Sequence, residues 1–191
     1  MAADILSEAE GKMQRAIENL RRELAGIRTG RASPGLVDRI QVEYYGTPTA
    51  LNQIANVSTP EPRLLVIQPF ERNIIPTIEK AILKSDLGLN PSNDGRVIRL
   101  QIPQLTAERR KDLVKVVKKR VEEGKVAVRN VRRDAHDHIR ALEHDKKIPD
   151  DMRISEEDSK RYQERLQKLT DRMIVEVEQT GQRKEEEILE V

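Results

Sequence analysis

Apolar residues recur every three or four positions from the start of the chain: Leu6, Ala9, Met13, Ile17, Leu20, Leu24 and Ile27. At about 100° per residue such positions form one stripe, the signature of a helix packed along a coiled-coil-like seam. The spacing predicts a helix from near Ala3 to Thr29 or Gly30. The same period returns after Pro103. Leu113, Val117, Gly124, Val128, Val131, Ala135, Ile139 and Leu142 define a second long helix. It opens at Thr106, a hydroxyl N-cap, carries Glu108 in its first turn, and runs to about Asp145. A glycine in the stripe costs about 1 kcal/mol relative to alanine, so Gly124 marks the close approach of a neighbouring helix. Past Pro149, Ser155 and Asp158 have capping-box spacing, and Tyr162, Leu166, Leu169, Met173, Val177, Thr180 and Ile188 carry a third seam. Three long helices with facing seams make a bundle.

Between 31 and 104 the helical period vanishes, and β-branched residues appear in short runs punctuated by Gly, Pro and Asn. Strands are expected at 38–45, 52–58, 64–68 and 96–102. Ile74, Ile78, Ala81, Ile82 and Leu87 suit an amphipathic helix stopped by Gly88, with a turn over 91–95. The fold class is therefore α+β: a three-helix bundle, 1–30 and 105–191, with a small β/α/β domain, 31–104, inserted. The insert joins the bundle through two crossings, which makes Gly30, Arg31, Pro34, Pro103, Gln104 and Leu105 a candidate hinge. Gly30 permits unusual backbone angles and the prolines restrict them. The same residues also read as a helix stop and a rigid loop.

The second long helix carries a charge pattern of its own over 125–140, KVAVRNVRRDAHDHIR. Lys118, Lys125, Arg129, Arg133 and Arg140 gather about a third of a turn from the apolar stripe, and Arg132 lies between the two faces. Like charges at i,i+4 cost about 0.2–0.5 kcal/mol per pair. Asp137 could reach Arg133, and Glu122 lies near the row, so partial neutralisation is open. A solvated charged face explains such a run, and so does an anionic partner; arginine favours the second, because its planar fork matches phosphate.

Composition narrows the choice. The chain has 191 residues, 36% of them charged and 37% hydrophobic, which with this patterning fits long helices better than disorder. A net charge of +2 is too small for a whole-molecule field, so affinity for a polyanion must come from local clustering. Cysteine is absent, which removes disulfides, thiolate metal sites and thiol nucleophiles. No leader-like run opens the sequence and no apolar stretch is long enough to span a bilayer, so a cytoplasmic protein with no membrane partner is expected.

Catalytic chemistry is not visible. His136, His138 and His144 lack metal-ligand spacing. Gly11-Lys12 and Gly124-Lys125 lack the rest of a phosphate loop, and the paired carboxylates of the third helix sit on a hydrated face. Neither enzyme activity, nor metal, nor cofactor is expected. With one Phe, three Tyr and no Trp, stacking on bases is also poorly provided for, so any nucleic acid would be held by its phosphates and duplex shape.

Five segments carry a resemblance: 27–34 (IRTGRASP), 42–48 (VEYYGTP), 85–91 (SDLGLNP), 105–113 (LTAERRKDL) and 126–135 (VAVRNVRRDA). In this order they closely resemble the bacterial ribosome recycling factor family, across nearly the full length. The resemblance implies a three-helix bundle plus a β/α/β domain in an L shape. It implies a non-enzymatic translation factor that acts on the post-termination 70S ribosome as a monomer. The bundle would lie against large-subunit rRNA, and elongation factor G with GTP would drive dissociation into subunits. Carried onto this sequence, it makes Arg132 the leading rRNA contact, with Arg129 and Arg133 beside it and Arg28 and Arg31 near the end of the bundle. Three departures stand out: a long connection at 148–153 (IPDDMR), His136 where the family commonly has Asn, and a proline-rich PEPR at 60–63. The alternative from another class is a helical adaptor whose seam accepts a partner helix, the arginines serving only to solubilise it.

Overall fold

In the first helix, α1 (Ala2–Ala25), the seam residues from Leu6 to Leu24 are all buried, and the helix ends four or five residues before the expected stop. The reason lies in Thr29. Its hydroxyl accepts the Arg31 N–H and donates to Glu187, both at 3.3 Å, and such side-chain bonds compete with the helical ladder. The computed structural model describes residues 1–190; Val191, the last residue of the expected bundle, lies outside them. The chain separates into two compact units, 1–21 with 116–184, and 22–115 with the stretch from 185 onward.

The first unit is a three-helix bundle built from most of α1, α4 (Ala107–His144) and α5 (Glu156–Leu189). Their boundaries match the capping signals: Thr106 Oγ1 accepts from Arg109 N–H and Ser155 Oγ from Asp158 N–H, each at 3.1 Å. The helices α4 and α5 run antiparallel, as the pairs Lys125–Glu178 and Arg132–Gln167 require. Gly124 lies where all three helices meet: a β-carbon there would sit 3.4 Å from both Leu20 and Val177. The connection at 148–153 is organised by Arg153, which donates to the carbonyls of Ile148 and Lys146 and pairs with Asp150 at 2.8 Å.

The second unit holds six strands where four were expected. β1 (Gln41–Tyr44) and β2 (Thr47–Ala50) form a hairpin, and β3 (Ala55–Glu61), β4 (Leu64–Pro69), β6 (Ile98–Gln101) and β5 (Pro91–Asn93) form an antiparallel sheet in that order. Two strands were missed because proline and glycine were read as turns. Proline is tolerated on edges, where its missing N–H faces no neighbour, and Pro60 and Pro91 lie in the two edge strands β3 and β5. Residues 52–54 were expected to begin a strand but belong to a single helical turn, α2 (Leu51–Ile54). The turn expected over 91–95 lies instead at 94–97, between β5 and β6. There the Asp94 carboxylate accepts from the N–H groups of Arg96 and Val97, which with Arg99 hold its pKa down at about 2.

The remaining helix, α3 (Ile75–Lys84), stops at Ser85, short of Gly88, because the Ser85 N–H closes the last turn on the carbonyls of Ala81 and Ile82. Its buried face, Ile75, Ile78 and Ile82, joins Leu65, Ile67, Ile98 and Leu100 of the sheet in one core. That core gives the insert a rigid body to present its loops.

Candidate nucleic-acid interface

On α4 the stripe Val128, Ala135 and Ile139 faces inward and fixes where the arginines point. Arg129, Arg133 and Arg140 are exposed and Arg132 is half-buried at the edge. Part of the row is neutralised: Lys125 pairs with Glu178 of α5 at 2.9 Å, and Arg129 with Glu122 at 3.6 Å. Asp137 does not serve Arg133; it lies 3.9 Å from His136 Nδ1. Among the described residues no carboxylate lies within 4.0 Å of Arg132, Arg133 or Arg140.

Arg132 is held by a relay of side chains. Gln167 donates its amide to Asp171 at 2.8 Å, which aims its carbonyl oxygen at Arg132 Nη1, 3.4 Å away. One guanidinium N–H is thus engaged while the others stay available. The groove around it, about 310 Å³, is lined also by His136, Lys160, Gln163, Glu164, Leu166 and Gln167. Guanidinium donors placed like this can form charge-assisted hydrogen bonds to an anion. Among the described residues no group of His, Asp and Glu is placed to hold a metal ion, and no helix is long and apolar enough to cross a membrane.

Arg28 and Arg31 belong to the second unit, in the loop after α1. Arg28 is half-buried without a carboxylate partner among the described residues, whereas Arg31 is exposed and pairs with Glu190 at 2.8 Å. A surface pair of this type contributes about 0–1 kcal/mol, so a phosphate could displace it.

The two crossings meet at one hairpin. The Ala32 N–H donates to the Pro62 carbonyl at 2.7 Å and the Ile102 N–H to the adjacent Arg63 carbonyl at 2.8 Å. Gly30 is half-buried and is not among the glycines at positive φ, so its left-handed freedom is not in use. Pro34 opens a short 3-10 turn, Pro34–Leu36, capped by Ser33; Pro103 and Gln104 are exposed and Leu105 is buried. Thr29, Pro62, Arg63, Glu187 and Glu190, which organise this region, carry no periodic signal in the sequence that would have singled them out.

The aromatic residues form a separate cluster. Tyr45 (φ 49°) and Gly46 (φ 79°) are the two left-handed residues of the β1–β2 turn. The Tyr44 and Tyr45 hydroxyls both donate to Glu71, at 2.8 and 2.7 Å, and the rings meet edge to face with centroids 4.6 Å apart. These bonds lower the Glu71 pKa, and Glu71 in turn raises that of Tyr44.

Known proteins agree with this architecture. The family described as ribosome recycling factor matches residues 20–189. Proteins named ribosome-recycling factor from Syntrophomonas wolfei and Desulforamulus reducens are 56% and 53% identical over 191 residues, with 100% of each chain covered. A solution structure of the ribosome recycling factor is similar at a TM-score of 0.77 and 46% identity, covering 100% of this chain and 98% of that one. A second similar structure has a TM-score of 0.68, 46% identity and full coverage of both chains. It shows the T. thermophilus ribosome recycling factor, with the E. coli elongation factor G, bound to the E. coli post-termination complex.

Proposed function

The chain belongs to the ribosome recycling factor family, and from that premise we propose that Arg132, Arg129 and Arg133 of α4 are its grip on large-subunit rRNA. It is a translation factor and not an enzyme. It binds the post-termination ribosome and, with elongation factor G and GTP, promotes release of the ribosome from messenger RNA as separate subunits. The observation that carries the arginine assignment is the Asp171–Gln167–Arg132 relay, which holds a guanidinium in place with most of its donors unspent. Arg28 and Arg31 would add contacts from the second unit. The crossings at Gly30, Arg31 and Pro34, and at Pro103, Gln104 and Leu105, would act as the hinge through which elongation factor G moves the inserted domain. The place of action is the cytoplasm, and the working form is a monomer.

The test is binding to ribosomal subunits across a salt series. Arg132→Ala should weaken binding several-fold and lower the slope of log affinity against log salt by about 1, the loss of one phosphate contact, with the melting temperature unchanged. Unchanged affinity and unchanged subunit splitting at matched salt would falsify the assignment. Salt-insensitive association with a protein partner would favour the adaptor instead.

A further inference from the structure

On α5 two sets of like charges line neighbouring flanks, with Lys160 falling among the acids and Asp158, Glu176 and Glu186 at the borders of the basic set. Glu157, Glu164, Asp171 and Glu178 recur every seven residues, which at about 100° per residue keeps them on one flank. Arg161, Arg165, Lys168, Arg172 and Arg183 fall together on another, within about 60° of arc by the same arithmetic. The first flank lies beside α4, where Glu178 meets Lys125. The second lies beside α1, where Arg172 reaches Glu10 at 3.0 Å. The basic flank is therefore a different surface of the bundle from the arginine row of α4.

Its cations are only partly neutralised. Asp158 takes Arg161 at 2.6 Å and Glu10 takes Arg172, while Glu176 pairs with Arg21 of α1 at 2.8 Å. Arg165, Lys168 and Arg183 are exposed and have no carboxylate within 4.0 Å among the described residues. The Arg161 and Arg165 guanidiniums lie 6.0 and 5.6 Å from the centroid of the same Tyr162 ring. The ring face attracts both and holds two like charges together that would otherwise separate. Beside them runs a groove of about 490 Å³ between α1 and α5, with Ala3, Leu6, Ser7 and Glu10 on one wall and Arg165, Lys168, Leu169 and Arg172 on the other. Glu10 answers Arg172 across it, which leaves Arg165 and Lys168 as the unmatched cations of the groove.

We infer that this α1–α5 flank is a second phosphate-binding surface, so that the bundle engages RNA on two sides and sits in a slot between RNA segments. The partner class is an RNA backbone: the flank offers guanidiniums and an ammonium, with Val175 an isolated exposed apolar side chain among them, which suits phosphates better than a protein groove. The inference rests on the ribosome-binding reading above, and its test separates the two.

The test compares Arg165→Gln/Lys168→Gln with Arg132→Ala in binding to large subunits across salt. Both altered residues of the pair are exposed, so the melting curve should not move. The expected result is a several-fold loss of affinity and a salt slope smaller by about 1 to 2, adding independently to the loss from Arg132→Ala. A radical-generating probe on Ser7→Cys, unique in a chain without cysteine, should cut rRNA in the complex. Full affinity for the double variant while Arg132→Ala binds weakly overturns the second surface and leaves the first standing. Full affinity for both variants overturns the arginine reading on which it rests, and the second surface with it. Lost affinity with no RNA cut from position 7 overturns the RNA partner in favour of an acidic protein.

Discussion

Gly181 of α5 packs directly against Val121 of α4: a β-carbon built at 181 would fall far inside the van der Waals radius of Val121 Cγ2. Gly181→Ala should therefore destabilise the chain by about 1–2 kcal/mol, the usual cost of overpacking less the helix propensity gained. Adding Val121→Ala should recover most of the clash component. Gly124→Ala is the contrast, since its methyl would meet Leu20 and Val177 at ordinary contact distance and should stabilise by up to about 1 kcal/mol. Urea denaturation reads all of these; a stabilised Gly181→Ala would mean that α4 and α5 are not pressed together there.

Glu71 should titrate below an ordinary glutamate because two phenols donate to it, Tyr45 more strongly than Tyr44. Its folded pKa is lowered, so the stability it contributes is present above the unfolded value of 4.5 and is lost as pH falls through the folded one. Tyr45→Phe should raise the midpoint toward 4.5, and Tyr44→Phe should do so by less. Carboxyl NMR titration decides it, and an ordinary midpoint in the parent chain would remove the paired hydrogen bonds.

At Gly30 a β-carbon meets nothing within 4 Å, and φ is not positive. Gly30→Ala should leave the melting temperature where it is. If backbone freedom at this crossing serves movement, the same variant slows subunit splitting with elongation factor G and GTP while binding the ribosome normally. Undiminished splitting would take Gly30 out of the hinge.

The three long helices were legible because one period runs through each, and Thr106 and Ser155 mark two of their starts through local hydrogen bonds. The insert was harder to read. Thr47–Ala50 and Pro91–Asn93 are strands whose prolines lie where no partner needs an N–H, a property of sheet position that local composition does not carry. Within the site, the side of α4 on which the arginines lie followed from helical arithmetic. Which of them would be neutralised did not. Arg129 is matched by Glu122 seven residues away, but Lys125 finds Glu178 on another helix, and Gln167 reaches Arg132 only because α4 and α5 run antiparallel. The end of α1 depended on Thr29 meeting Glu187, residues that only folding brings together.

The neighbouring carbonyls of Pro62 and Arg63 receive the outgoing and the returning chain respectively. Chimeras between relatives have to respect that junction. A transplant that cuts at the two crossings and exchanges only the connecting residues would pair one parent's linkers with the other parent's hairpin tip, whereas moving 31–34, 60–63 and 102–105 as one block keeps every anchor with its own chain. The proline-rich tip of this protein and its linkers thus have to be exchanged together.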